Sequence, residues 1–151
     1  MADGQPPKII LCDTTFVSLQ ETSERKPEAI AHWPHDVLSR IDSAILAVSV
    51  FTLAEIRAGR IAASWGQRRS ERQERLLAAF VTVPLDEDIL NEYATLHAWS
   101  RRGHTTPHND MWIAATAIAR GFPLVSCDEH FEKIAETHEL EHIFLPRHAT
   151  T

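Results

Sequence analysis

The chain has two cysteines, five glycines, one tyrosine and no surplus of positive charge. Each shortage excludes something. Cys12 and Cys127 are too few for a disulfide framework of the secreted kind. Each precedes an Asp at an expected strand end, and both read as buried thiols acting as small hydrophobes. No apolar run approaches the roughly 20 residues that a membrane span needs. The longest, Ala44 to Phe51, is strand-sized and includes Ser49. The N-terminus, MADGQPP, is polar and Pro-bearing, unlike a secretory signal. The expected location is therefore the cytoplasm, with no membrane partner. Fifteen Lys and Arg against 21 Asp and Glu give a net charge of −6. That balance argues against a general nucleic-acid coat protein.

The 151 residues are 44% hydrophobic, enough for one domain and one sizeable core. Residues 1–7 read as a disordered leader, 8–146 as the domain and 147–151 as a tail. Lys8 to Cys12, Ser43 to Ser49, Val81 to Leu85, Pro123 to Cys127 and Glu141 to Leu145 read as strands, the last at an edge. Helices are expected from Phe16, within Pro27 to Ile41 with a break at Pro34, and over Val50 to Ala63. Others are expected over Gln67 to Phe80, Glu87 to Arg102, Pro107 to Arg120 and Glu129 to Glu136. Glu21 to Lys26 reads as a charged loop. Asp86 reads as an N-cap, and Thr106-Pro107 as a cap followed by Pro at the first helical position. Buried strands alternating with helices predict an α/β fold. The expectation is a mainly parallel central sheet of about 4–5 strands flanked by helices.

The stretch Pro107 to Asp128, PHNDMWIAATAIARGFPLVSCD, organises the rest. Asp110, Ala114, Ala117 and Gly121 share one helical face, so a carboxylate lies on the small, apolar side. A lone buried carboxylate costs several kcal/mol unless something pairs with it. Asp13 and Asp128 end strands, and Glu55 lies on the apolar face of the helix after the second strand. In an open α/β sheet, ligand sites form outside the carboxyl ends of the strands. All four acids can therefore converge at one edge. Clustered carboxylates repel, and at least one has a raised pKa without a cation. No Lys sits at a matching strand end. Oxygen ligands without His or Cys at ligand spacing suit Mg²⁺ or Mn²⁺. Such an ion suits phosphodiester hydrolysis.

Each acid also has a purely structural reading. Asp13 and Asp128 can N-cap the helices that follow them. Thr52-x-x-Glu55 fits a capping box. Asp110 can complement a helix dipole. Asn109 can orient a ligand or cap its helix.

The same segments carry a resemblance. LCDTT, VSVFTLAEIRAG and HNDMWIAATAIARGFPLVSCDEHF, at this spacing, resemble a PIN-domain protein of the VapC-type toxin ribonucleases. The resemblance spans Ile9 to about Leu145. It implies a single PIN-like domain in which Asp13, Glu55, Asp110 and Asp128 occupy the four acidic catalytic positions. Thr15 stands where the family usually has Ser or Asn. The resemblance further implies one or two Mg²⁺ or Mn²⁺ ions, held mainly by Asp13 and Asp110 with Asp128 as a further ligand. RNA would be the substrate, with Thr14, Thr15 and Asn109 as candidate contacts. A cognate antitoxin protein and a homodimer are the implied partners.

Other features are weaker. His104 and His108, and His138 and His142, are four apart, but Pro107 breaks the first pair and the second runs from a loop into a strand. Zinc is not expected. Arg57, Arg60, Arg68, Arg69, Arg72 and Arg75 read as a solvated helix face or as an RNA or partner contact. Trp33, Trp65, Trp99 and Trp112 read as core or interface residues. The competing function is a non-catalytic module whose acidic pocket docks a basic peptide. A phosphoacceptor receiver domain would need an acidic pair at the first strand and a late Lys. A haloacid-dehalogenase-like phosphatase would need Asp at Thr15.

Overall fold

A computed structural model describes residues 4–149. The expected leader and tail lie partly outside that range, at residues 1–3 and 150–151. The described chain begins with β1 (Ile9–Cys12), α1 (Thr14–Ser23), a short 3-10 turn (Pro27–Ala29) and α2 (His35–Asp42). It continues through β2 (Ile45–Ser49), α3 (Val50–Ala62), α4 (Gln67–Leu77), β3 (Val81–Val83) and α5 (Glu87–Ser100). It ends with α6 (His108–Arg120), β4 (Leu124–Ser126), α7 (His130–Thr137) and β5 (His142–Phe144).

The five strands form one sheet in the order β3-β2-β1-β4-β5, and every pairing is parallel. All carboxyl ends therefore point to one edge. The chain builds outward from β1 in one direction and then crosses over to build outward through β4. The gap between β1 and β4 is the topological switch point, where such sheets open a crevice.

Strand alternation divides the core into two layers. Leu11, Ala47 and Leu124 pack on one face with Ile89, Leu96 and Phe131. Ile10, Cys12, Val48 and Val125 pack on the other with Phe16, Trp33 and Leu77. Both faces are covered, which is why these strands read as continuous apolar runs rather than as alternating ones. Cys12 and Cys127 are free and buried in this second layer. Burial pushes both thiols up, Cys127 to about 12, so neither is a thiolate near neutral pH.

α6 shares a core layer with Leu11, Ala47 and Leu124 of the sheet, its Ala114, Ala115 and Ala117 fully buried there. It ends at Gly121, which adopts the left-handed conformation (φ 66°, ψ 28°). A Cβ on Gly121 would meet open space. The expected effect of Gly121→Ala is therefore conformational alone: a loss of about 1 kcal/mol, read as a lower urea midpoint with an unchanged slope.

Two local expectations are corrected. α1 runs on through Glu21 to Ser23 instead of yielding to a loop. Thr22 and Ser23 bond back to the carbonyls of Ser18 and Gln20, which suits a polar last turn. At the start of α6, Pro107 is itself the cap residue (ψ 142°), and Thr106 turns its hydroxyl back to the His104 carbonyl. By contrast, Asp86 does cap α5, accepting from the Ile89 N–H at 3.0 Å. Pro34 directly precedes α2. No described helix is long and apolar enough to cross a membrane.

Candidate active site

β1 delivers Asp13 to the crevice, where it caps α1 by accepting from the Phe16 N–H at 3.0 Å. The Thr15 hydroxyl lies 2.7 and 2.9 Å from its two oxygens, and the Ser126 hydroxyl donates to Oδ2 at 2.9 Å. Each hydroxyl also accepts from the turn after β4. Thr15 takes the Cys127 N–H at 3.0 Å, and Ser126 takes the Asp128 N–H at 2.9 Å. Two amide-to-hydroxyl-to-carboxylate chains thus tie the β4 turn to Asp13. The side chain is 3% exposed. Burial outweighs the three donors and pushes the carboxyl up to about 6, with Asp128's charge adding to the rise.

Asp110 comes from the first turn of α6. Burial, then the charges of Asp128 and Asp13, push it up to about 6 as well; Glu55 adds a smaller push. Its side chain is 16% exposed, and its polar neighbour is His130, whose Nδ1 lies 3.6 Å from Oδ2. Asp128 accepts from the His130 N–H at 2.9 Å and faces the same Nδ1 at 3.1 Å. One ligand atom from each of Asp110, Asp128 and His130 lies within 4.8 Å of the others.

Glu55 projects from α3 and accepts from the Thr14 hydroxyl at 2.9 Å. The capping-box reading of Glu55 does not hold. The cap of α3 is Ser49, which accepts from the Thr52 N–H, so Glu55 lies beyond the first turn. Asn109 is exposed beside Asp110. Among the sequence candidates, Asp110 and Asp128 come within ligand distance of each other. Asp13 sits beneath them in its hydrogen-bond cradle, and Glu55 lies to the side with Thr14.

Two site residues escaped the sequence reading. Ser126 falls within the expected strand Pro123 to Cys127 with no signal of its own, yet its hydroxyl joins Asp13 to Asp128. His130 stands two residues after Asp128 at the start of α7, outside the histidine pairs at helical spacing. The donor set suits a hard divalent cation. It offers closely spaced carboxylate oxygens, two of the carboxyls being held at about 6 by burial first and then by neighbouring carboxylates. His130 could add a nitrogen.

Beside Glu55 a cleft of about 360 Å³ runs between α1, α3 and α4, lined in part by Thr14, Arg25, Arg60, Trp65 and Arg69. Much of the Arg run is already engaged there. Arg57 and Arg60 both reach Glu74, at 3.1 and 2.7 Å. The Arg69 guanidinium lies 3.5 Å over the Trp65 ring. Of the other tryptophans, Trp33 stacks on Phe16, Trp99 on His104, and Trp112 on Tyr93 and Phe51.

A parallel α/β sheet with clustered carboxylates at its switch point forms a class of site that suits a divalent cation. The comparisons with known proteins make this specific. The PIN domain profile matches residues 10–137. The chain is 34% identical over 131 residues to the VapC ribonuclease Y4jK of Sinorhizobium fredii, covering 80% of this chain and 87% of that protein. It is 34% identical over 99 residues to Ribonuclease VapC5 of Mycobacterium tuberculosis, covering 61% and 73%. The structure of VapBC-5 from Mycobacterium tuberculosis, a toxin–antitoxin system, superposes with a TM-score of 0.66 at 25% identity, covering 92% of this chain and 100% of that one. FitAcB from Neisseria gonorrhoeae superposes with a TM-score of 0.65, also at 25% identity, covering 92% and 99%. The chain belongs to the PIN-domain family, among its VapC ribonucleases.

Proposed function

We propose that this protein is a metal-dependent endoribonuclease, the toxin of a toxin–antitoxin pair. The observation that carries the reading is the gathering of acids in one crevice: Asp110 and Asp128 within ligand distance of each other, beside the buried Asp13, with Asp13 and Asp110 both pushed to about 6. Folding has assembled repelling charges that a divalent cation would neutralise. The names of the relatives support the substrate class: those compared above are ribonucleases.

Asp13, Asp110 and Asp128 would hold the ion, which we take to be Mg²⁺ or Mn²⁺. When bound, such an ion lowers the pKa of water and neutralises charge growing on the phosphate oxygens. The chain's own residues do the rest. Phe16, Thr15 and Ser126 fix the Asp13 carboxylate so that it need not reorganise during the reaction. Glu55, steadied by Thr14, has its second oxygen free to accept from the attacking water. Asp128, within ligand distance of Asp110, offers a second acceptor for that water. The water oxygen bonds to phosphorus, its proton passing to Glu55, as the bond to the leaving ribose oxygen breaks and that oxygen takes a proton from solvent. Asn109, exposed at the rim, can donate to a phosphate oxygen. Thr14 and Thr15 have their hydroxyls committed to Glu55 and Asp13, so they act on substrate through those carboxylates.

An antitoxin partner is supported by the VapBC-5 structure, a member of a family of toxin–antitoxin systems, which shares the fold. A basic segment of such a partner would suit these acids. A homodimer and a cytoplasmic location belong to the same proposal. The test is RNA cleavage by purified, antitoxin-free protein with Mg²⁺, with Mn²⁺ and with excess EDTA. Cleavage should require metal, fall to background in EDTA and return when metal is restored. A folded, metal-loaded protein that cleaves none of a diverse RNA set, yet binds basic peptides through the same acids, would favour the non-catalytic docking module.

A further inference from the structure

The last described residues do not trail away from the domain. The Leu145 N–H donates to the Ser126 carbonyl at 2.9 Å, which keeps the chain in register with the residue whose hydroxyl holds Asp13. The next carbonyl, that of Pro146, is pinned twice. The Trp33 indole donates to it at 2.9 Å, and His32 Nε2 lies 2.7 Å away. Trp33 is 4% exposed and stacked on Phe16 of α1, with ring centroids 5.7 Å apart. This anchor is therefore part of the core. Arg147 follows it directly.

Two clefts meet at Arg147 and His148. One, of about 550 Å³, is lined by Cys127, Asp128 and His130 on the acidic side. The other, of about 450 Å³, is lined by Thr14, Thr15 and Ser18 of α1. Both include Arg147 and His148, so the anchored segment forms the wall between them. Arg147 is exposed, and it makes no ion pair among the described residues.

The chain carries a net charge of −6, and the crevice concentrates acids. An RNA backbone approaching it is repelled unless fixed cations lie beside the acids. Arg57 and Arg60, on the other side of the site, are already engaged by Glu74.

We propose that Arg147, held at the rim by the Pro146 anchor, binds an RNA phosphate next to the one being cut and guides the strand from the α1 cleft into the Asp128 cleft. This rests on the ribonuclease reading and adds a substrate-binding residue to it. A free guanidinium favours a phosphate over the basic segment of a protein partner, which it would repel. Only the anchored backbone is fixed in advance; the side chain closes on the phosphate.

The experiment uses the full chain and labelled single-stranded RNA. In an Asp110→Asn background, fluorescence anisotropy should show about tenfold weaker RNA binding on adding Arg147→Ala, the scale of one lost charge-assisted contact. The dependence of log Kd on log salt should become shallower by about 0.7, one phosphate contact on a single strand. Arg147→Lys should restore the salt slope. In the otherwise native enzyme, Arg147→Ala should raise KM about tenfold and leave kcat and the melting temperature nearly unchanged.

Unchanged Kd, slope and KM in an enzyme that cleaves RNA overturn the proposal and leave the ribonuclease reading intact. A native protein that neither binds nor cleaves RNA overturns both. A fall in affinity matched by a fall in melting temperature, or a loss confined to binding a protein partner, also overturns it.

Discussion

Asp110→Asn will abolish RNA cleavage and, in the same preparation, make the metal-free protein harder to unfold at pH 7.5. The two effects have one cause. The Asp110 carboxyl is pushed to about 6 by burial and by the charges of Asp128 and Asp13. At pH 7.5 it is ionised against that resistance. An amide of the same shape removes one of the crowded charges and relieves Asp13 and Asp128. The site keeps its form but loses the oxygen that we propose as a metal ligand. The loss of cleavage should be on the order of 10³-fold or more, as when one member of a catalytic unit is removed. The stabilisation should be about 1–2 kcal/mol, discounted because the carboxyl is partly solvated. At this chain length that is a rise in Tm of several °C, or about 3 °C per kcal/mol. Single-turnover cleavage with Mn²⁺ and thermal melts in EDTA measure the two halves. A variant that loses activity together with melting temperature would mean that Asp110 holds the fold. One that still cleaves would remove it from the reaction.

That trade between stability and function explains what was legible beforehand. Asp110 breaks the local rule of its helix, because the face it shares with Ala114 and Ala117 is otherwise small and apolar. A violation of pattern at low intrinsic benefit is the kind of signal a sequence shows. Asp13 and Asp128 were visible because each interrupts an apolar strand at its end. The parallel sheet followed from alternation of strands and helices, but the order β3-β2-β1-β4-β5 did not. Long-range pairing leaves little trace in a single strand's composition, so the meeting of β1 and β4 at the site had to be seen.

His130 and Ser126 were hidden for a different reason. Ser126 is a small residue in an apolar strand, and only the adjacency of β1 and β4 turns its hydroxyl into a link between Asp13 and Asp128. His130 becomes a neighbour of Asp110 through the turn after β4 and not by helical spacing. Arg147 falls in the stretch that reads as a tail from composition. It is placed by a backbone carbonyl, that of Pro146, and backbone acceptors have no residue-type signature.

The metal-free protein will lose stability as pH rises from about 4 to about 6, and a divalent cation will return that stability mainly above pH 6. Asp13 has an ordinary value of 3.8 and is held at about 6 in the fold. Between those values the folded chain keeps a proton that the unfolded chain has released, so stability falls with pH. Above about 6 both forms are ionised and this contribution is flat. The full difference for Asp13 is about 3 kcal/mol. Asp110 acts in the same direction through the same window. His142 opposes it. Burial holds its imidazole below the ordinary 6.5, so the unfolded state binds the extra proton and stability rises with pH there. Glu74 and Glu141, held low by their arginines, lose stability only below the ordinary carboxylate range. The two crowded carboxyls displaced by burial set the net sign between pH 4 and 6. A cation binds the ionised carboxylates, so protons compete with it, and its stabilisation should grow from pH 5 to pH 7.5. Urea unfolding at those two pH values, in EDTA and in Mg²⁺ or Mn²⁺, gives four free energies. The metal-free value should be lower at pH 7.5 than at pH 5, the metal-bound pair should differ less, and Asp110→Asn should flatten the metal-free difference. A metal-free stability that rises from pH 5 to 7.5 and ignores that substitution would mean that the carboxylates are not strained, and with them would go the electrostatic reason for a cation in the crevice.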